Sequence, residues 1–304
     1  MYSLSTCWNS GRHTDGRAML REIRDLGFEF AELSHGIRLS LVPGILDAVN
    51  AGEIKITTLH NFCPLPVGVT QAAPNLYQFT SSDLREREKA VRQTLQTLDF
   101  AARVKARLVV LHLGSVEMKD YTERLLAMVA AGQRESPKYQ RLCVDAETKR
   151  EARREKPLAF AVEILKRLET EAAARGLLLG IENREAVEEI PFEVDFRFLF
   201  LDFPGGTVRY WHDTGHAQIK ANLGFIEHAL HLESMAEELA GFHIHDVEFP
   251  GRDHRPPGQG TIDFAALQPF VRPEHIKVLE MSPSLTAEQV LAGFAHLKSI
   301  WGDA

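Results

Sequence analysis

The chain has 304 residues, of which 44% are hydrophobic and 25% are charged, an ordinary composition for a soluble globular protein. Its 35 Lys+Arg and 42 Asp+Glu give a formal net charge of -7, which argues against a general affinity for nucleic acid or anionic membranes. The three cysteines form no C-x-x-C pair, and neither a signal-peptide pattern nor an apolar run of membrane-spanning length is present. We therefore expect a reduced, cytoplasmic protein.

Eight short apolar runs alternate with helical patterns along the chain. The runs predict strands at Ser3–Trp8, Phe28–Leu33, Ile54–Leu59, Leu108–Leu113, Leu177–Ile181, Thr207–Trp211, Gly241–Val247 and Ile276–Leu279. Amphipathic spacing predicts helices at 14–26, 42–50, 82–103, 158–175, 192–203, 225–239, 262–270 and 286–300. This alternation predicts an α/β protein with a (β/α)8 TIM barrel, in a single domain covering residues 1–304.

A doubly wound open sheet is the alternative fold. Such a sheet usually carries a glycine-rich phosphate turn after its first strand. The segment Trp8-Asn9-Ser10-Gly11-Arg12 has no such turn, so the barrel is favoured.

Two connections are unusually long. The loop at residues 61–80 is rich in proline and glutamine without periodicity, which is typical of a cover over an active site. Residues 118–157 predict a helical insertion after the fourth strand. Its charge run, Glu147–Lys156, is most simply a solvated helix face; the alternatives are a lid over the site or a subunit contact in a homo-oligomer.

Polar side chains follow almost every predicted strand. In a barrel the C-terminal strand ends meet at one mouth, where active sites form. The side chains at these ends are His60, His112, Glu182, Asp213, His216, His245 and Glu280. Carboxylates mixed with imidazoles suit Mn²⁺, Co²⁺, Zn²⁺ or Mg²⁺. The sequence therefore predicts a divalent-metal site at the mouth.

The same residues lie in motifs that resemble a known group. The motifs are Leu111-His112-Leu113-Gly114-Ser115, Ile181-Glu182-Asn183, His212-Asp213-Thr214-Gly215-His216, His243-Ile244-His245-Asp246, Arg252 through Asp263, and Leu279-Glu280. Together, and in this order, they resemble the xylose-isomerase-like barrel superfamily of sugar isomerases and epimerases, which includes endonuclease IV. The resemblance covers nearly the whole chain.

The resemblance implies a set of metal ligands and a reaction. The ligands would be Glu182, Asp213, His245 and Glu280, with Glu182 and Glu280 also acting as acid and base. The reaction would be sugar or keto-polyol isomerisation or epimerisation, by proton abstraction α to a carbonyl through a metal-stabilised enediolate. Mn²⁺ is the expected ion, with Co²⁺, Mg²⁺ or Zn²⁺ as alternatives, and the partner would be a small carbohydrate.

Further residues would bind substrate by the same resemblance. They are His60, His112, His216, one of Arg252, His254 and Arg255, and Glu188, with Glu185 as an alternative to Glu188. For His216 a second metal ion is the alternative to substrate. Of the two imidazoles in the predicted seventh strand, His245 lies nearer the mouth, so His243 would be a hydrogen-bonded support. Epimerisation, aldose–ketose isomerisation and dehydration of a keto-inositol begin with the same proton abstraction, so the sequence leaves the substrate open.

The main rival is an endonuclease IV-like phosphodiesterase with three zinc ions. The chain keeps many of that enzyme's histidines. Against it, Arg252 aligns with an aspartate ligand of that enzyme, and the overall acidity suits DNA poorly. A metal-free barrel acting as a sensor or scaffold is a third hypothesis, and the four predicted ligands argue against it.

Overall fold

The computed structural model describes residues 1–302, and its centre is a closed barrel of eight parallel strands. The strands are β1 (Tyr2–Ser5), β2 (Phe30–Leu33), β3 (Lys55–His60), β4 (Leu108–Leu111), β5 (Leu178–Glu182), β6 (Val208–Asp213), β7 (Leu239–Ile244) and β8 (Ile276–Leu279). Each strand pairs with its neighbours in the chain, and β8 closes the barrel against β1. The predicted barrel fold is confirmed, and the open sheet is excluded.

Helices connect the strands around the outside of the barrel. Their bounds are α1 (Gly16–Asp25), α2 (Val42–Asn50), α3 (Leu84–Arg103), α4 (Thr122–Ala130), α5 (Pro137–Glu151), α6 (Glu155–Ala174), α7 (Glu193–Leu201), α8 (Thr214–Leu223), α9 (His228–Ser234), α10 (Phe264–Leu267) and α11 (Ala287–Trp301). Side-chain caps begin several of them, including Asp15 on α1 and Thr286 on α11. No helix in the described part of the chain is long and apolar enough to cross a membrane.

The strands are buried because helices cover their outer faces and side chains fill the barrel interior. Every residue of β4 and β8 is buried. This explains why the strands appear in the sequence as continuous apolar runs rather than as alternating patterns. The charged and polar residues that do lie in these strands are therefore the ones to examine for function.

The long connection after β4 contains two additional helices, α4 and α5, before the crossover helix α6. Tyr139 of α5 packs in the core, and its hydroxyl donates to the carbonyl of Leu223 at the end of α8. Most of the α5 surface is exposed, as the charge run predicts. The helices expected at 118–157 are thus present and packed against the outside of the barrel beside α8.

Two short antiparallel strand pairs lie at the mouth of the barrel. The first pairs Gly114–Ser115 with Glu189–Ile190, and the second, a hairpin, pairs Asp246–Glu248 with Arg252–Arg255. This hairpin begins directly after β7, which ends at Ile244 rather than at the expected Val247. As a result His243 lies within the barrel strand, whereas His245 is the single residue between that strand and the hairpin.

Candidate metal centre and active site

Four buried side chains converge at the C-terminal mouth of the barrel. Glu182 ends β5, Asp213 ends β6, His243 is the penultimate residue of β7, and Glu280 follows β8. Their ligand atoms all lie within 4.8 Å of one another. His243 Nδ1 lies 2.5 Å from Glu182 Oε1, 3.3 Å from Glu280 Oε2 and 4.0 Å from Asp213 Oδ2. We call these four residues the quartet.

Glu32 of β2 orients the imidazole of the quartet. His243 Nε2 lies 2.9 Å from Glu32 Oε2, and Glu32 also accepts hydrogen bonds from the hydroxyls of Ser5 and Thr58. Donation to Glu32 fixes a proton on Nε2, so Nδ1 is the nitrogen that faces the quartet, the arrangement that metal-binding histidines commonly adopt. Glu32 carries no strand-end signal in the sequence, because it lies inside an apolar run.

The charges of the quartet favour a cation. Burial alone would lower the pKa of His243, but the carboxylates of Glu280, Glu32 and Glu182 raise that pKa well above its ordinary value. Burial likewise opposes ionisation of Glu182, yet His243 holds its pKa well below the usual range. An ion that binds Nδ1 would displace the imidazole proton. Three carboxylates and one imidazole form a donor set that suits Mn²⁺, Co²⁺, Mg²⁺ or Zn²⁺, so the residues fit such an ion.

His245 lies beside the quartet rather than within it. Its Nε2 is 3.1 Å from Asp213 Oδ2, and its Nδ1 accepts the backbone N–H of His254 at 3.0 Å. The second contact leaves the proton on Nε2, so that His245 donates to Asp213. The rings of His245 and His254 stack with centroids 4.4 Å apart. The geometry therefore favours His243 over the expected His245 as the imidazole that faces the three carboxylates.

His60 and His112 approach the other oxygen of Glu182. Oε2 lies 2.6 Å from His112 Nε2 and 3.7 Å from His60 Nε2. Arg184, which the sequence analysis did not select, completes this group: its Nη1 is 2.8 Å from Glu182 Oε2 and 2.7 Å from His112 Nε2. The two sides of one carboxylate thus face two different environments.

Arg184 is buried, and a second carboxylate binds its guanidinium. Its Nε donates to Glu189 Oε1 at 3.0 Å. Although burial opposes the charged form, the carboxylates of Glu189, Glu182 and Glu185 raise the pKa of Arg184. Burial and the neighbouring guanidinium in turn keep the pKa of His112 well below its ordinary value. A fixed positive charge therefore lies beside a neutral imidazole at this side of the mouth.

His216 belongs to a third group at the mouth. Asp213 caps α8 by accepting the backbone N–H of His216, and His216 Nδ1 lies 3.0 Å from the carbonyl of Asn183. Ligand atoms of His216, Glu185 and Asp253 lie within 4.8 Å of one another. His254, with its positive φ of 53°, keeps Nε2 3.9 Å from Glu280 Oε2. His216 and His254 therefore border the quartet.

Two of the expected substrate-binding residues lie elsewhere. Arg252 is an exposed residue of the hairpin and pairs with Glu248, so its neighbour Asp253, not Arg252, faces the mouth. Glu188 accepts hydrogen bonds from the backbone of Tyr121 and from the backbone and hydroxyl of Thr122. The carboxylate of Glu188 thus caps the N-terminus of α4. The structure does not bring either side chain into the quartet.

Comparison with known proteins identifies the family. The chain matches the family described as xylose isomerase-like TIM barrel over residues 20–300. It belongs to this family. A search of curated protein sequences gave no match. The predicted resemblance is therefore confirmed at the level of the family.

Solved structures share the xylose isomerase-like barrel over its whole length. One described as a putative xylose isomerase from Rhodospirillum rubrum has a TM-score of 0.72 at 18% identity, covering 98% of both chains. A D-tagatose 3-epimerase-like protein has a TM-score of 0.70 at 15% identity, covering 98% of this chain and 96% of its own. The IolI protein, solved with a bound zinc atom, has a TM-score of 0.66 at 15% identity, covering 99% of both chains. At these identities the likeness shows the fold.

Proposed function

We propose that this protein is a divalent-metal-dependent isomerase or epimerase of a small carbohydrate. The observation that carries the proposal is the quartet, in which one imidazole nitrogen and three carboxylates share a buried site at the barrel mouth. Barrel proteins of this fold that are described as a D-tagatose 3-epimerase-like protein and as an L-ribulose 3-epimerase support the same class of reaction.

Glu182, Asp213, His243 and Glu280 would hold the ion. When bound, the ion would stabilise negative charge that develops on the substrate's oxygens. We propose His243 in place of His245 as the imidazole ligand, since Glu32 holds its Nε2 and its Nδ1 faces all three carboxylates. His245 would instead orient Asp213 by donating to it.

Glu182 and Glu280 would move the proton. They project from β5 and from the end of β8, and His243 lies between them at 2.5 and 3.3 Å. A carboxylate held beside the carbon next to a carbonyl can take its proton, and the second carboxylate can return one. The burial of both groups excludes water from the proton that is in transit.

The test is exchange of solvent deuterium into a panel of ketoses and inososes with added Mn²⁺. Exchange at the carbon next to the carbonyl is expected with at least one substrate class, whatever the final product. Glu182→Gln and Glu280→Gln should reduce exchange by about 10³-fold or more while the circular dichroism spectrum is retained. Glu163→Gln, an exposed acid of the outer helix α6, is the matched control. A Glu182→Gln or Glu280→Gln variant that keeps most of the exchange would refute the roles given to these residues.

A phosphodiesterase with several metal ions is the second candidate. It is favoured by the group of Glu185, His216 and Asp253 and by the histidines beside Glu182. The acidic net charge and the guanidinium of Arg184 among these histidines oppose it. Cleavage of a duplex that contains an abasic site, in the absence of deuterium exchange into sugars, would establish this alternative instead.

A further inference from the structure

The two oxygens of Glu182 face two adjacent positions that are both suited to a cation. Oε1 faces His243 Nδ1 within the quartet, at 2.5 Å. Oε2 faces the Nε2 atoms of His112 and His60, at 2.6 and 3.7 Å. We call the space between Oε2 and these two imidazoles the second position. It shares one carboxylate with the quartet but is formed by different imidazoles.

The other hydrogen-bond partners of the two rings determine which atoms at the second position carry protons. His60 Nδ1 lies 2.9 Å from the carbonyl of Asn61, which can only accept, so its Nε2 is left with a lone pair. His112 Nε2 lies 2.7 Å from Arg184 Nη1, which can only donate, so this Nε2 also carries a lone pair. His112 Nδ1 then donates to Asn75 Oδ1 at 2.9 Å.

Three lone-pair atoms therefore meet at the second position. The two Nε2 atoms are 3.1 Å apart, and each lies within 3.7 Å of Glu182 Oε2. Such atoms repel one another unless a cation lies among them, and their spacing is that of a set of metal ligands. With the protons assigned in this way, neither ring directs an N–H into this space.

Arg184 supplies the cation at this point. Its Nη1 donates to His112 Nε2 at 2.7 Å and to Glu182 Oε2 at 2.8 Å. The third neighbour of Nη1, His216 Nδ1 at 3.3 Å, donates its own proton to the carbonyl of Asn183. The Nε of Arg184 is held by Glu189, whose other oxygen accepts the N–H of Ala186. A guanidinium keeps its charge at every relevant pH. Its position is therefore fixed by the fold rather than by exchange with solvent.

We propose that Arg184 is a built-in cation that fills the second position and prevents a metal ion from binding there. A divalent ion and a guanidinium cannot share the same two acceptor atoms, because their charges repel at this distance. The inference rests on the proposed function in one respect, that the neighbouring quartet holds a divalent ion. It adds that the positive charge beside Glu182 Oε2 belongs to a side chain rather than to a metal ion. A chain without Arg184 should therefore bind more metal than the native chain.

The test compares the metal content of purified full-length variants after saturation with Mn²⁺ or Zn²⁺ and removal of the excess. Arg184→Met removes the charge at similar length and should gain about one ion per chain over the native protein. Arg184→Lys, which keeps a cation, should gain none. Arg184→Met combined with His60→Ala should lose the extra ion, since the second position then lacks one imidazole.

An Arg184→Met variant that keeps the native circular dichroism spectrum and the native metal content would overturn the inference. If that variant fails to fold, His60→Ala in the native background decides: its metal content should equal that of the native protein. A loss of one ion in His60→Ala would mean that a metal binds beside Arg184, contrary to the inference. A native protein with no bound ion would instead refute the proposed function, so the two failures are distinguishable.

Discussion

Replacement of Glu32 by glutamine tests whether His243 is the imidazole that binds the ion. Glu32 is fully buried and accepts from His243 Nε2 at 2.9 Å, from Ser5 Oγ at 2.9 Å and from Thr58 Oγ1 at 2.8 Å. Glutamine keeps the size of the side chain and can still accept from the imidazole, while its amide can donate to a hydroxyl. The substitution therefore removes mainly the charge.

The expected magnitude follows from the change in that hydrogen bond. A bond to a charged group contributes about 1.5–3 kcal/mol and a neutral one about 1 kcal/mol. A loss of about 1.4 kcal/mol in the basicity of His243 corresponds to roughly tenfold weaker metal binding, within the range of about 10–100-fold seen when the hydrogen-bond partners of metal ligands are removed. Isothermal titration with Mn²⁺ measures this change directly.

A matched control is Glu53→Gln, which removes a carboxylate paired with Arg17 at the protein surface. Its metal affinity should equal that of the native protein. If Glu32→Gln binds Mn²⁺ within twofold of the native protein, His243 is not the ligand and the assignment returns to His245.

Three further outcomes are expected. Glu188→Ala removes the cap of α4 and should lower the free energy of unfolding by about 1–2 kcal/mol in urea; unchanged stability with impaired substrate binding would instead favour the role first expected for Glu188. Burial lowers the pKa of His228 and of His231 to about 3, so both stay neutral in the folded protein while the unfolded chain takes up protons below about pH 6.5. The contribution of the neutral histidines to stability should therefore be fully present above that pH, and the free energy of unfolding should fall by about 1.4 kcal/mol per histidine per pH unit between pH 6 and 4. His231→Gln should make this fall shallower. If urea titrations at pH 7 and 5 give the same fall for the variant and the native protein, the assignment is contradicted. Removal of divalent ions with EDTA should lower Tm, because an ion at 100 times its Kd stabilises the folded state by about 2.7 kcal/mol; a Tm that does not respond to added Mn²⁺ would argue against a metal centre.

The barrel and the general location of the site could be predicted from the sequence. Parallel strands covered on both faces appear as apolar runs, and the first polar residue after a run marks the barrel mouth. This reasoning found Glu182, Asp213 and Glu280, which the structure brings within one buried group. It worked because the signal for each residue is local: an apolar run of known direction and the side chain that ends it.

The choice between the two imidazoles of β7 could not be predicted in the same way. The apolar run predicts a strand that continues to Val247, which places His245 nearest the mouth on the inward face. In the structure β7 ends at Ile244, and Asp246–Glu248 pairs with Arg252–Arg255 instead. Strand ends are set by which backbone groups find partners, and the partner hairpin has no apolar signal of its own. A difference of three residues in the strand end is therefore enough to move the histidine that faces the carboxylates from position 245 to position 243.

Arg184 and Glu32 were missed for a different reason. A buried charge is explained by its partners, and here the partners are distant in sequence: Glu32 meets His243 across 211 residues, and Arg184 meets His112 across 72. Near Arg184 the sequence shows only a charged loop, which is usually solvated. Nothing local in a single sequence distinguishes a guanidinium that is enclosed by histidines from one that faces water.

Two adjacent glutamates hold the helical insertion and the arginine of the site in place. Glu188 accepts from the first turn of α4, and Glu189 holds Arg184 against Glu182. The residue that caps α4 is therefore the direct neighbour in the chain of the residue that binds Arg184. Deleting α4 and α5 to make a minimal barrel would leave Glu188 without its hydrogen-bond partners. The neighbouring Glu189 would then be held less firmly, and so would the Arg184 side chain that it binds. An engineered chain without the insertion should therefore lose the selectivity of its metal centre before it loses its fold.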